Sequence, residues 1–321
     1  AVRSFLNDDN YTGYGNNGSV KEYFEDNSSG LLIYTNAVTI YIRMAQPKTY
    51  YDNTAADCGA QGVKLIKDAV AILKARADYT STILPTFNEL TTDSSGWAVA
   101  CNVFFAGDDS GVWMRGLWPH SWILNDGAYV TPVALGNGKS LARYQITNLG
   151  TALELGTFCH ENGHMLCGFP DIYDYDYDSV GGAGSFCLMD YGGHGSNPVM
   201  ICGYLRRAAG WVTTTELDDT SLLTGTLVAA PNAVFNQLYR YARPGVATEY
   251  FLMENRQQTG RDSGLPAAGI AVWHVDELGD RDDQSLIPNA LHHNYEVTLV
   301  QADGAWDFEF NRDYGDPQDL Y

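Results

Sequence analysis

Residues 157–174 read TFCHENGHMLCGFPDIYD, and the interpretation of the whole chain depends on the spacing within this stretch. His160 and His164 are four residues apart, so on an α-helix they share one face and both imidazoles can reach a single ion. Glu161 flanks that face. This HExxH order is typical of zinc hydrolases, in which zinc lowers the pKa of water to about 7 and the glutamate takes its proton. The stretch therefore predicts a zinc site with two histidine ligands and Glu161 as the general base, which later passes the proton to the leaving amine.

The longest predicted elements surround this motif. A helix over residues 148–166, with Asn148 as a possible N-cap, would carry both histidines. A second long helix is predicted over residues 60–76, where apolar side chains recur at helical spacing, and it should pack on a sheet. The apolar run 97–106 predicts a buried strand. Residues 171–184 are rich in Asp, Tyr and Gly without periodicity, which predicts an irregular loop.

Shorter elements are predicted along the rest of the chain. Residues 19–27 have the pattern of a helix with Ser19 as N-cap and Glu22 three residues later. Residues 31–44 have the β-branched and aromatic character of a strand pair. A helix is predicted over residues 198–209. Further strands are predicted at residues 226–230, 234–242, 249–254, 269–275 and 295–301.

The composition limits the classes of partner. With 39 acidic and 19 basic side chains the formal net charge is −20 at pH 7, which repels nucleic acid and anionic membrane surfaces. The acidic excess is either a solubilising surface or a set of carboxylate clusters that bind hard cations such as calcium. No run approaches the roughly 18 apolar residues of a membrane span. We therefore expect neither a nucleic-acid partner nor a membrane partner.

The six cysteines are an even set that permits disulfides, although the sequence does not choose a pairing. None of them is in a CxxC pair, which disfavours a cysteine zinc cluster. The cysteines are therefore expected either to form structural disulfides or to remain as buried thiols.

The stretch 157–174 resembles the motif HExxHxxGxxD of the M6 peptidases, the immune inhibitor A-like metalloproteases of the metzincin clan. Residues 19–30, 118–122, 250–256 and 269–276 also resemble segments of that family, so the resemblance spans most of the chain. It implies a secreted zinc endopeptidase that hydrolyses peptide bonds in a protein or peptide substrate. It also implies calcium as a structural cofactor, for which the oxygen-rich stretch 303–319 is a candidate without EF-hand spacing.

The sequence departs from the family motif by one residue. The motif places its Gly three and its Asp six residues after the second His, whereas Gly168 and Asp171 follow His164 by four and seven. Cys167 is therefore an insertion. We predict Asp171 as the third zinc ligand, because a glycine lets the chain turn out of the helix and a carboxylate beyond it can return to the ion.

Two alternatives to this ligand remain open. Asp174 is a competing third ligand three residues further on. Alternatively, both acids belong to a calcium loop together with Asp176 and Asp178.

Residues 185–192 resemble the methionine turn of metzincins, with Met189 beneath the metal. A thioether can pack under the ligands without binding zinc, although an ordinary core methionine is the alternative. Tyr191 matches the Met-x-Tyr pattern of astacin-like and serralysin-like metzincins, in which the tyrosine stabilises the oxyanion or binds zinc. A structural role for Tyr191 is equally open. Spacing assigns no role to His120, His194 or His274, of which the last is expected to be a core histidine.

These observations predict an α+β, metzincin-like fold with a twisted mixed sheet backed by the two long helices. Residues 1–166 would form an N-terminal lobe ending with the HExxH helix, and residues 167–321 a β-rich C-terminal lobe with the third ligand and the methionine turn. We expect a monomer that binds an extended peptide along an edge strand. The alternatives are a catalytically silent, calcium-organised binding or adhesion module and a zinc hydrolase of a non-protein substrate.

Overall fold

The computed structural model describes residues 1–218, 237–281 and 295–321. Its elements form a mixed α+β structure, which confirms the predicted class at that level. The helices are α1 (Val2–Asn7), α2 (Val20–Asn27), α3 (Lys48–Tyr51), α4 (Cys58–Lys74), α5 (Leu84–Asn88), α6 (Leu155–Asn162) and α7 (Gly203–Ala208). The strands are β1 (Asn102–Phe105), β2 (His120–Ile123), β3 (Val133–Gly136), β4 (Lys139–Leu141), β5 (Arg143–Asn148), β6 (Thr213–Leu217), β7 (Gln237–Ala242), β8 (Glu249–Arg256), β9 (Gly269–Asp276) and β10 (Val297–Leu299).

The chain divides into two compact units. The first comprises Ala1–Arg3, Thr35–Leu153 and Glu161–Gly168, and the second comprises Ser4–Tyr34, Glu154–His160 and Phe169–Tyr321. The boundary falls within the helical stretch that begins with α6, so residues of this stretch belong to both units. The predicted lobes, residues 1–166 and 167–321, differ from these two units, and that division stays a prediction.

The first unit is built around α4 and a three-stranded sheet. β1 runs parallel to β5, and β5 runs antiparallel to β2, so the sheet is mixed. Apolar side chains of α4, among them Val63, Ile66 and Val70, share one core with Tyr144 and Ile146 of β5. The amphipathic helix predicted over residues 60–76 is thereby confirmed. The strand predicted at residues 97–106 is confirmed only in its second half, where β1 pairs with β5. The expected burial is wrong, because β1 lies at the edge of this sheet and only its Phe105 is buried.

The second unit contains a five-stranded sheet in the order β10-β9-β8-β7-β6, with only β6 and β7 parallel. The strands predicted at residues 249–254 and 269–275 are confirmed, and that at 295–301 is confirmed in shorter form. Of the strand predicted at residues 234–242, the described residues 237–242 form β7. The strand predicted at residues 226–230 lies outside the described residues.

Two local predictions near the start of the chain had opposite outcomes. The capping box is confirmed, because the Glu22 backbone N–H donates to Ser19 Oγ and the Glu22 carboxylate accepts from the Ser19 N–H. The strand pair at residues 31–44 is wrong, because this stretch contains no strand. Leu31 is 68% and Tyr41 75% exposed. High β-propensity produces a strand only where a partner strand and a covering surface exist.

The predicted start of the metal-motif helix is also wrong. Asn148 is the last residue of β5, where it pairs with Phe105, and α6 begins only at Leu155. The first backbone N–H of α6 is satisfied by the side chain of Asn16, which accepts from the Leu155 N–H at 3.0 Å. The cap therefore comes from a distant part of the chain.

None of the helices in the described part of the chain has the length and apolar character that crossing a bilayer requires. All six cysteines are free thiols in the structure, and four of them are buried. A disulfide stays a prediction.

A buried ionic network fixes the interior of the second unit. Arg256 donates to both carboxylate oxygens of Asp262, at 2.6 and 2.7 Å, and to the Phe186 carbonyl oxygen at 2.9 Å. Glu254 pairs with Arg206 and accepts from the Trp273 indole N–H at 2.9 Å. Both arginines and both acids are almost fully buried. Such charges are tolerated because each has an oppositely charged partner and further hydrogen bonds.

We predict that Asp262→Ala lowers the free energy of unfolding by about 3–5 kcal/mol, because it leaves the Arg256 guanidinium buried without its bidentate partner. Urea denaturation monitored by tryptophan fluorescence measures this change. Asp78→Ala is the control, since its partner Arg76 and Asp78 itself are both exposed. An effect of Asp262→Ala no larger than that of Asp78→Ala would contradict the assignment.

Candidate metal centre

The structure brings the three predicted metal ligands together. One donor atom from each of His160, His164 and Asp171 lies within 4.8 Å of the others, and all three residues are half-buried. Two imidazole nitrogens and one carboxylate oxygen are a donor set of catalytic zinc sites, which leave a further coordination position open. The residues present therefore fit a zinc ion.

The helical stretch changes its winding within the motif. α6 continues as a π-helix over Gly163–Cys167 and ends at Gly168, whose φ of 66° is left-handed. A π-turn closes its hydrogen bonds over one residue more than an α-turn does. The extra residue Cys167 is thereby accommodated inside the helix, and the chain still turns at Gly168. Among the described residues no atom lies within 4 Å of a Cβ placed at position 168, so the left-handed backbone is the observed reason for glycine there.

The geometry distinguishes the two candidate carboxylates. Asp171 Oδ1 lies 2.9 Å from His160 Nε2. Asp174 is buried, and its Oδ2 accepts from the Ser179 backbone N–H at 2.9 Å. It belongs to a separate acidic group with Asp176 and Asp178. The histidine pair is therefore grouped with Asp171.

The ring of His160 is held from both sides. Its Nδ1 lies 3.0 Å from the Leu188 carbonyl oxygen, which can only accept a hydrogen bond. Nδ1 therefore donates to this carbonyl, and Nε2 faces Asp171, where it could bind an ion. A carbonyl or carboxylate partner on the second nitrogen is the usual support of a metal-binding histidine, since it fixes both tautomer and ring orientation.

The Met189 carbonyl, which follows that of Leu188 in the same turn, supports the segment that contains Asp171. The Ile172 backbone N–H, directly after Asp171, donates to the Met189 carbonyl oxygen at 3.0 Å. The side chains of Leu188 and Met189 are fully buried. Two successive carbonyls therefore position His160 and Asp171 relative to each other.

Asp190 stabilises this turn and was not singled out by the sequence interpretation. Its Oδ2 accepts from the backbone N–H groups of Ala183 and Gly184, at 2.9 and 2.8 Å, and its Oδ1 accepts from that of Tyr191 at 2.8 Å. Burial raises the pKa of Asp190, and the three backbone donors act in the opposite direction. An aspartate in a Gly-rich stretch is a signal for such side-chain to backbone bonds, although it does not name the partners.

Glu161 and Tyr191 are the two predicted catalytic residues. Glu161 is buried and directly follows His160 on the helical stretch. The ring of Tyr191 packs against that of Tyr314, with the two centroids 3.9 Å apart and the planes tilted by 40°. Burial raises the pKa of Tyr191, and Tyr314 raises it further, so the phenol stays protonated and can donate a hydrogen bond. Their roles in catalysis stay predictions.

The remaining histidines have other surroundings. His120 is buried, with Nε2 2.9 Å from the Tyr144 hydroxyl and Nδ1 2.6 Å from the Trp118 carbonyl oxygen. His274 lies on β9, and its Nε2 is 3.5 Å from a carboxylate oxygen of Glu249. His194 is exposed, and its ring centroid lies 6.0 Å from that of Tyr191.

No known family model matches this sequence, and no curated protein matches it. The resemblance to the M6 peptidases therefore depends on the quoted motifs, and membership in that family stays a prediction.

We predict that Asp171→Ala weakens zinc binding by at least about tenfold, because it removes one of three protein donors. Competition against a chromophoric chelator measures the affinity. Asp174→Asn is the matched variant, since an amide oxygen can still accept from the Ser179 N–H, and it should bind zinc as the parent does. If Asp174→Asn binds zinc more weakly than Asp171→Ala does, Asp174 is the ligand.

We also predict that Gly193→Ala weakens zinc binding, on the order of 10–100-fold. A Cβ at position 193 would overlap the Leu188 carbonyl oxygen and lie 3.4 Å from His160 Nδ1, so the support of the ring must shift. The same chelator assay applies, with circular dichroism to establish that the variant is folded. An unchanged affinity in a folded variant would show that this carbonyl does not orient the ligand.

Proposed function

We propose that this protein is a secreted, zinc-dependent endopeptidase of the metzincin type, with His160, His164 and Asp171 as the metal ligands. The observation that supports it most strongly is the orientation of His160, between the Leu188 carbonyl at Nδ1 and Asp171 at Nε2. A histidine that only stabilised the helix surface would not need a ring that is held by a backbone carbonyl and faces a second possible metal ligand. The HExxH spacing adds support from the sequence.

The chemistry follows from the donor set. A zinc ion held by two imidazoles and one carboxylate supplies a Lewis acid that acidifies water and polarises a peptide carbonyl. The carbonyl of Leu188 orients the His160 ring through Nδ1, so that Nε2 would be the atom that binds the ion. Asp171 would hold the ion together with the two histidines, and its negative charge would partly neutralise the dication.

Glu161 is the proposed general base. Its carboxylate would take a proton from the attacking water and then deliver it to the leaving amine nitrogen. Burial limits the access of solvent to this group, so the transferred proton stays within the site.

Tyr191 is proposed as a donor to the oxygen that becomes negatively charged during attack. Its phenol is neutral over the physiological range because its pKa is raised, and a neutral hydroxyl is the form that can donate. The contact with Tyr314 limits the motion of the Tyr191 ring, which reduces the entropic cost of using it.

The substrate class, the extracellular location and the monomeric state belong to the same proposal and are supported by the resemblance of the motifs. Calcium is proposed as a second, structural ion. The strongly negative net charge is consistent with a protein that binds cations and has no nucleic-acid partner.

The test is cleavage of a denatured, fluorescently quenched protein by the zinc-loaded chain. Glu161→Gln should retain zinc and lose about 10²–10⁴-fold in kcat/KM, because only the proton transfer is removed. Equal zinc content in the two preparations, measured by elemental analysis, is the control for metal loss.

Two outcomes would contradict the proposal. If the parent holds zinc and cuts no protein, a panel of ester and carbohydrate-amide substrates tests hydrolysis of another bond. If the parent cuts and Glu161→Gln cuts equally well, Glu161 is not the base.

A further inference from the structure

Two of the cysteines contact each other beside the turn that supports the candidate metal centre. The backbone N–H of Cys202 donates to Sγ of Cys187 at 3.2 Å, and the two thiols also share a hydrogen bond. Both residues are fully buried. Cys187 directly precedes Leu188, whose carbonyl oxygen orients the ring of His160. The contact between the cysteines therefore lies next to the backbone on which the site depends.

The backbone around Cys202 is held on both sides. The Ile201 N–H donates to Asn27 Oδ1 at 2.8 Å, and the Gly203 N–H donates to Glu254 Oε1 at 3.0 Å. The Cys202 N–H between them has a sulfur as its partner, which is a weaker acceptor than either oxygen. Because both neighbours are fixed by buried hydrogen bonds, the Cys202 side chain stays close to its partner cysteine.

The backbone around Cys187 is held as well. The carbonyl oxygen of Phe186 accepts from Arg256 at 2.9 Å, and the carbonyl oxygen of Cys187 accepts from the Asp190 backbone N–H at 3.2 Å. A Cβ at position 192 would lie 2.6 Å from that second oxygen, so Gly192 packs directly against it. Both cysteines belong to the second unit. One folded body therefore brings the two sulfurs together, as a disulfide requires.

The other four cysteines have different surroundings. Cys58, Cys101 and Cys167 belong to the first unit, and Cys159 belongs to the second. Sγ of Cys58 lies 3.9 Å from Sδ of Met114. Within the described part of the chain, none of these four thiols shares a hydrogen bond with another cysteine. The geometry therefore selects one pair, which the spacing of the cysteines in the sequence could not do.

We propose that Cys187 and Cys202 form a disulfide bond that ties the turn of residues 187–190 to the start of α7. The two positions are 15 residues apart, so the bond closes a short loop and restricts the unfolded chain. The closed loop contains Leu188 and Met189, whose carbonyl groups support the candidate ligands. The pairing depends on the contact of the two cysteines and not on the proposed zinc chemistry.

Formation of the bond needs an acceptor for two electrons, and a small-molecule disulfide such as oxidised glutathione supplies it. The thiolate of one cysteine attacks that disulfide and displaces a first small thiol. The thiolate of the other cysteine then attacks the resulting mixed disulfide, which forms the bond between Cys187 and Cys202 and releases a second small thiol. The two protein thiols are oxidised, their two protons pass to the released thiols, and the reagent is reduced.

Burial determines when this exchange occurs. Neither cysteine is accessible to an external reagent once the turn has packed against α7. The mixed disulfide therefore forms during folding, and the closing of the turn brings the second thiol to it. The same burial protects the finished bond from small-molecule reductants, because exchange requires direct access to a sulfur.

Peptide mapping tests the pairing directly. The full chain is refolded with oxidised and reduced glutathione, its free thiols are blocked with iodoacetamide, and it is digested without reductant for mass spectrometry. We expect one linked pair of peptides, with Cys187 and Cys202, and blocked thiols at the other four cysteines. A link from either residue to a different cysteine, or blocked thiols at both positions, would overturn the proposal.

Thermal unfolding measures what the bond contributes to the turn. The metal-stripped chain is used with a chelator throughout, so that a phosphine reductant cannot act by removing an ion. Reduction of the unfolded chain before refolding should lower the Tm of the parent by about 5 °C, because the loop is no longer closed. An unchanged Tm would contradict the proposed role of the bond.

Two variants provide the comparison. Cys187→Ala should have the same Tm with and without reductant, and Cys202→Ala serves the same purpose if the first variant does not fold. Cys101→Ala is the matched control, since it changes a half-buried thiol in the first unit and should keep the shift of the parent. A shift that persists in Cys187→Ala or Cys202→Ala would overturn the proposal, and so would its loss in Cys101→Ala.

Discussion

The carbonyl groups of Leu188 and Met189 are the constraint on which the candidate site depends. The first accepts a hydrogen bond from Nδ1 of His160, and the second accepts one from the backbone N–H of Ile172, which follows Asp171. Because both acceptors belong to one buried turn, the imidazole and the carboxylate cannot move independently. Preorganisation of this kind lets a site bind an ion without reordering its side chains.

The turn is itself held by interactions from several parts of the second unit. Asp190 binds three backbone N–H groups around it, and Gly193 allows the chain to approach the Leu188 carbonyl closely. Arg256 reaches the Phe186 carbonyl from β8, and Tyr314 packs on Tyr191 from the C-terminal segment. The buried ionic network thus stabilises the turn from the core.

The sequence predicts those features that depend on neighbouring residues. Three such features follow from helix geometry alone. They are the capping box at Ser19, the periodicity of α4 and the four-residue spacing of His160 and His164. The Asn16 cap on α6 and the Arg256 contact with Phe186 join residues far apart in sequence, so no local pattern contains them. The strands expected at residues 31–44 failed for the same reason, because propensity does not provide a partner strand.

The most direct measurement of the central claim is NMR of the protein with isotope-labelled histidine and an NMR-active cadmium ion in place of zinc. We expect scalar coupling between the metal and Nε2 of His160, together with a slowly exchanging proton on Nδ1. His164 and Asp171 complete the site, so a second histidine should also couple to the metal. Coupling through Nδ1 of His160, or the absence of coupling to any histidine, would contradict the account.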